Sequence, residues 1–228
     1  DAAAGEREEP ASDSCGMPAG AWYRHGLDFG LLAALIAQVC APRNAALRAY
    51  DPSSGGGGGT ADRGAVLVFM PGVPEIRRLH REIERAAGGA LAGMHILHLH
   101  GTLTSDEQNL VFGAPPAGKR KVVLATNVAE TSITIDDVTV VIDSLRVKEQ
   151  QYDALNKTSR LTEAWVSRAG AKQRAGRAGR VQPGVVYRIA PREMFDGLEA
   201  HAVPEIRRTP LASLCLQVKL LGLSLIHI

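Results

Sequence analysis

The sequence predicts an α/β domain, a doubly wound parallel sheet with flanking helices, and three observations carry that prediction. Short, continuously apolar runs rich in Val and Ile recur between Ala65 and Ile189. Stretches of helical character separate them, and such alternation needs crossover connections between parallel strands buried on both faces. The third observation is size: 228 residues, 45% hydrophobic and 22% charged, form an ordinary globular composition with enough length to build a core.

The elements follow in order. Residues 1–20 are rich in Ala, Gly, Pro and acids, a linker or disordered composition. Residues 21–61 lead into the domain. Within them Leu27 to Cys40 places Leu27, Leu31, Leu32, Leu35 and Val39 at helical spacing with Asp28 near the start, and Gly55 to Gly59 form a flexible loop. The domain proper is expected at residues 62–195. Ala65 to Met70 is its first strand, stopped by Pro71-Gly72, and Val73 to Ala87 is a helix with Ile76, Leu79 and Ile83 on its apolar side. Met94 to Leu99 is a second strand, and Ser105 to Phe112 a short helix with Ser105 as its cap. Lys121 to Ala125, Val138 to Ile142 and Val185 to Ile189 are the remaining strands. In residues 196–228, Thr209 caps and Pro210 opens a helix that runs to Leu223 and begins a further domain.

Composition excludes several classes. Cys15, Cys40 and Cys215 are too scattered for a zinc cluster or a disulfide framework, and point to a reduced, intracellular setting, cytoplasmic or nuclear. The longest apolar stretch, Leu31 to Ala41, is far short of the ~20 residues of a membrane span, so no membrane partner is expected. The chain opens with neither Met nor a signal-peptide pattern and reads as part of a longer protein. Its net charge of +2 conceals a segment, Trp165 to Arg180, with five Lys or Arg and no acid.

Two segments imitate nucleotide-binding motifs. Gly113 to Lys119 fits G-x-x-x-x-G-K, but Arg120 replaces the magnesium-binding Ser or Thr. Pro115 and Pro116 also lack the N–H groups that cradle phosphate, so the segment is a surface loop. Asp143 ends an apolar strand, as a metal-binding aspartate does, but without a phosphate loop it reads as a solvated strand end.

The sharpest chemical signal is Gln173-Arg174-Ala-Gly176-Arg177-Ala-Gly179-Arg180. In a continuous helix Gln173, Arg177 and Arg180 fall at i, i+4 and i+7, which places one amide and two guanidiniums on one face. Guanidinium is always charged and matches phosphate oxygens bidentately. The glycines imply a close approach to the backbone. A merely basic, solvated face is the simpler alternative, and the specific Q-R-x-G-R-x-G-R pattern outweighs it. Thr126 and Asn127 follow the strand Lys121 to Ala125, where open α/β sheets place ligands, and Asn127 is expected to cap a short helix whose free N–H groups suit phosphate.

Taken in order, Leu67 to Gly72 with Glu75-Ile76, Leu99-His100-Gly101 with Glu107-Gln108 and Val111-Phe112, Ala125 to Ser132, and Gln173 to Arg180 resemble the second RecA-like lobe of DEAH/RHA-type (DExH-box) RNA helicases. The resemblance covers about Leu27 to Leu221. It implies a RecA-like lobe followed by the start of a helical, winged-helix-like domain, with ATP, RNA and the first RecA-like lobe of the same full-length chain as partners. By the same resemblance Gln173, Arg177 and Arg180 reach the ATP phosphates as arginine-finger machinery, Thr134 and Asp136 lie near the ribose, and Phe112 stacks on adenine. Simple core packing is the competing reading of Phe112. Gly101, Thr126 and Asn127 grip the RNA backbone, while Mg2+ is held mainly by the first lobe. Asp143 to Trp165 resembles the β-hairpin that acts as a wedge at the nucleic acid. The implied activity is ATP-dependent 3′-to-5′ unwinding by the full-length protein, with these 228 residues inactive alone. A non-enzymatic RNA-binding scaffold with a degenerate lobe is the alternative. The chain departs from the resemblance at Leu145, where Gly is usual, at Gly170, where Ser is usual, and at Thr104, where Pro is common.

Overall fold

Continuous apolar runs become central strands because neither of their faces meets water. In a computed structural model of the chain, which describes residues 26–41, 64–87, 93–153, 156, 158–180, 183–222 and 224, every residue of β1 (Ala65–Phe69) and β3 (Arg120–Ala125) is buried. With β2 (Met94–Leu99), β4 (Val138–Asp143) and β7 (Val185–Arg188) they form one parallel sheet in the order β2-β3-β1-β4-β7. The expected linker at residues 1–20 and the loop Gly55 to Gly59 lie outside the described residues.

Alternate strand residues supply two cores. On one face Val66, Val68, Val122, Leu124, Val140 and Ile142 pack against α1 (Phe29–Cys40) and α2 (Val73–Ala87). On the other, Leu67, Phe69, Val123, Ala125 and Val141 meet Val111, Ala129, Ile135 and Ala178. Helix α1 therefore shares the sheet's core although it precedes residue 62. Asp28 caps it by accepting from Leu31 N at 2.9 Å, and Phe29, Leu32, Ala33, Ile36 and Val39 face inward. The predicted stripe is rotated slightly, since Leu31 is 55% exposed.

The sheet's N-terminal edge is closed by two buried cations that begin β3. Arg120 donates to Val39 O at 2.7 Å and Gly64 O at 3.0 Å, joining the end of α1 to the start of β1. Lys121 donates to Val111 O at 2.8 Å and Gly113 O at 3.0 Å, and pairs with Asp137 at 3.0 Å. The loop from Gly113 to Lys119 precedes β3, as its prolines require.

Several termini differ from expectation. Helix α3 (Ser105–Asn109) is capped by Thr104, not Ser105: Thr104 N donates to Glu107 Oε2 at 2.8 Å while Glu107 N donates back to Thr104 Oγ1 at 3.4 Å. This is the reciprocal capping box, and a proline at 104 could not donate to it. A 3₁₀ turn, Leu110–Phe112, completes the segment. Helix α4 (Val128–Thr131) starts at Asn127, but Asn127 has helical backbone angles and its side chain makes no cap bond. Capping requires extended geometry at that position, and four residues carry little macrodipole, so the phosphate reading of this terminus fails.

After β4 the chain forms an antiparallel hairpin, β5 (Arg146–Asp153) and β6 (Thr158–Trp165), then α5 (Arg168–Ala175), a 3₁₀ turn at Gly176–Gly179, β7, and α6 (Arg192–Asp196). The tail helix α7 (Ala212–Leu220) begins later than predicted, after Leu211, and Thr209 Oγ1 instead donates to Glu205 O at 3.0 Å. Its Leu214, Leu216 and Leu220 are exposed.

Leu145, between β4 and the hairpin, has φ 57° and is fully buried with Val166, Ala171 and Leu198. A left-handed backbone costs an L-residue about 1–2 kcal/mol, and the buried side chain offsets that cost. Leu145→Gly is therefore expected to lower stability by about 1–3 kcal/mol in urea unfolding, because the lost packing exceeds the relieved strain. Increased stability would show that strain dominates.

Candidate nucleotide and nucleic-acid sites

Gln173 to Arg180 does not form one continuous helix. Helix α5 ends at Ala175 and the turn Gly176–Gly179 tightens to 3₁₀ geometry, so the arginines diverge instead of sharing one face. Arg174, which the spacing argument passed over, is wholly buried. Its Nη1 donates to Asp143 Oδ1 at 2.8 Å and its Nε to Glu130 Oε2 at 3.0 Å, and its guanidinium lies 4.9 Å from the centre of the Phe69 ring. Asp143 is 1% exposed, so it is not a solvated strand end. Its Oδ1 also accepts from Leu145 N at 2.8 Å. An apolar strand that ends in an acid, together with an Arg in a helical segment, was the available signal for this pair.

Arg177 also points inward, donating to the backbone carbonyls of Glu130 and Ile133, the latter at 3.1 Å. Burial, and then the neighbouring positive charge of Arg180, push its pKa down, while Glu130 opposes the shift. Arg180 is exposed and donates to Thr134 Oγ1 at 2.9 Å. Gln173 is exposed on α5, and Asp136 is exposed just before β4. The turn is held from behind by Gly184, where an added Cβ would land on the Ala178 carbonyl. Gly176, by contrast, has open space around its Cα. Gly170 fits because a Cβ there would come within 2.8 Å of Val166 Cγ2.

The predicted residues separate into two groups. Thr126 follows β3 and Gly101 lies just beyond β2 at the same end, where Leu99 pairs with Ala125 and Thr126 N donates to Leu99 O at 3.0 Å. Thr126 is 8% exposed, and Asn127 and Gly101 are exposed beside it. Thr134, Asp136 and Arg180 instead precede the N-terminal ends of β4 and β7, roughly 16–20 Å away by strand rise. Helix α4 bridges the groups: Glu130 ties its side chain to Arg174 and its carbonyl to Arg177. Phe112 follows α3 beside the buried Lys121 and is 54% exposed, which rules out core packing. No group of three or more His, Cys, Asp or Glu among the described residues can hold a metal, and no described helix is long and apolar enough to cross a membrane.

The hairpin is anchored at its base. Arg146 pairs with Glu163 at 2.6 Å and stacks 4.0 Å from the Trp165 ring centre, and Lys148 pairs with Glu75 of α2 at 2.8 Å. The described part of β6 is exposed from Thr158 to Glu163.

Removing one partner of a buried pair leaves an uncompensated charge. Asp143→Ala is expected to cost about 3–5 kcal/mol in denaturant unfolding, whereas Asp143→Leu with Arg174→Met and Glu130→Gln, which removes every charge of the cluster, recovers much of that loss. Equal destabilisation in both variants would show that shape, not charge, governs the site.

The helicase conserved C-terminal domain model matches residues 59–182. Over 161 residues the chain is 52% identical to the DExH-box ATP-dependent RNA helicase DExH3 of Arabidopsis thaliana, covering 70% of this chain and 14% of that protein. It is 47% identical over 160 residues to the ATP-dependent DNA/RNA helicase DHX36 of Bos taurus, covering 70% of this chain and 16% of that one. The Escherichia coli DEAH/RHA helicase HrpB superposes with a TM-score of 0.69 at 31% identity, over 88% of this chain and 23% of HrpB. The chain spans less than a fifth of the length of these curated relatives. With the family model matching more than half of the chain, and with the identities and the superposition of its five-stranded parallel sheet in agreement, the chain belongs to the helicase conserved C-terminal domain family, as a RecA-like lobe of the DExH-box type.

Proposed function

We propose that this lobe is the second motor half of an ATP-dependent RNA helicase that moves 3′ to 5′, and that it supplies guanidinium charge to the ATP phosphates and one grip on the RNA backbone. The observation that carries the proposal is Arg180, an exposed guanidinium held by Thr134 Oγ1 at 2.9 Å on a turn backed by the buried Arg177. The exposed Arg180 guanidinium, beside the buried positive charge of Arg177, favours an anion at that point of the surface. An ATP polyphosphate fits that donor set, with Gln173 as an additional amide, Asp136 and Thr134 on the ribose side, and the exposed ring of Phe112 for adenine. ATP supplies a cleavable phosphoanhydride, and Mg2+ would be held mainly by the first lobe. Arg180 would stabilise charge on the transferring phosphoryl, while Arg177 keeps the turn attached to the carbonyls at Glu130 and Ile133.

At the other sheet end, Thr126 N is engaged by Leu99 O, so the Thr126 hydroxyl, the exposed Gly101 backbone and Asn127 remain for RNA. Backbone contacts of this kind position RNA without reading its sequence. A shift of Arg180 and Thr134 on phosphate loss would reach Asn127 through the four residues of α4.

RNA-stimulated ATP hydrolysis by the complete enzyme tests the assignment. Arg180→Ala is expected to lower kcat by about 10³-fold or more, with Arg180→Lys a poor replacement. An unchanged rate removes Arg180 from the reaction. Gly184→Ala, which touches neither ligand, is expected to lower the same rate by displacing the turn; wild-type turnover would show that the turn tolerates the shift.

A further inference from the structure

Helix α2 carries four arginines, and their partners divide them into two pairs. Arg78 stacks 4.3 Å from the Phe29 ring centre and Arg85 pairs with Glu82 at 2.7 Å. Arg77 and Arg81, one helical turn apart, make no ion pair, hydrogen bond or ring contact among the described residues. Both line a cleft of about 520 Å³ between α2 and the edge strand β2, together with His80, Glu84 and His98. An exposed arginine on a convex helix face needs no ligand, but these two line an open cleft together with two imidazoles.

The wall formed by those imidazoles is rigid. His80 Nδ1 and His98 Nε2 share a hydrogen bond of 2.7 Å with their rings at 85°, which fixes both side chains. Burial, followed by the charges of His80, His100 and Arg77, pushes the His98 pKa down, and the guanidiniums of Arg77 and Arg81 are the cleft's permanent positive charges. Glu84 is the acid that lines it, 3.7 Å from His80 Nε2. Beyond His98 the strand runs through His100 into Gly101.

Building on the RNA-grip reading of Gly101 and Thr126, we propose that the α2–β2 cleft binds a phosphate of the single-stranded RNA backbone through Arg77 and Arg81. The RNA path then turns from the end of the sheet down its β2 edge. Arg77, nearer the N-terminus of α2 and therefore nearer Gly101, takes the phosphate first, and Arg81 about 6 Å further on takes the same or the next one. His80 and His98 hold the wall against which the ribose-phosphate rests.

The test measures binding of a fluorescein-labelled oligouridylate to the complete enzyme across a KCl series. Arg77→Ala with Arg81→Ala is expected to weaken binding and reduce the slope of log K against log [KCl] by about 0.7 per phosphate released. Arg77→Lys with Arg81→Lys should retain most of the slope, because charge rather than fork geometry sets it. Unchanged affinity and slope in the alanine double variant, with binding weakened by Thr126→Ala, would overturn the cleft assignment and leave the RNA grip standing. If neither variant affects binding, both assignments fall.

Discussion

A guanidinium without access to water has to be neutralised by what surrounds it, and in this lobe that requirement organises the region between the two candidate sites. Arg174 draws Asp143 from the end of β4 and Glu130 from α4 onto one buried charge. The desolvation penalty of such a cluster is large, so its net gift to stability is small; its consequence is positional. With Asp143 Oδ1 already shared between Arg174 and Leu145 N, the carboxylate fixes both the left-handed turn into the hairpin and helix α5, which leads into the turn of Arg177 and Arg180. Hairpin, α4 and α5 therefore cannot shift independently.

The same economy of buried cations governs the sheet's N-terminal edge. Arg120 and Lys121 cap carbonyls that no strand neighbour satisfies, Arg120 reaching the distant end of α1 and Lys121 the nearby turn at Val111 and Gly113. Burying them is tolerable because every donor direction meets a carbonyl, a hydroxyl or Asp137. With that edge closed, Thr134 and Asp136 can sit exposed on it without loosening β4.

Parallel strands put Thr134, Asp136 and Arg180 at one end of the sheet and Gly101, Thr126 and Asn127 at the other, and a single short helix connects them. Helix α4 buries Ala129 alone, so packing contributes little to its hold. Its attachment depends on Glu130, through side chain to Arg174 and through carbonyl to Arg177. Arg177 stands on the turn that leads to Arg180, so α4 is fastened to the segment carrying that exposed guanidinium.

The strand segments, their burial on both faces and the helix pattern were legible in the chain because continuous apolar runs have few other stable arrangements, whereas the order of the strands in the sheet came from the structure. Ile76, Leu79 and Ile83 faced the core as their spacing required. The charged residues were different. Gln173, Arg177 and Arg180 share a face only if the helix continues, and the change to 3₁₀ geometry after Ala175 turned Arg177 inward and left Arg180 outside. Ser105 and Thr104 offer similar capping patterns, and the chain alone does not say which backbone is extended. Sequence by itself determined the layers, the family pattern and where positive charge concentrates along the chain. Only the tertiary structure decided that Asp143 and Arg174 are internal and Arg180 external, because a charge's role depends on the partners that reach it across thirty or more residues of chain.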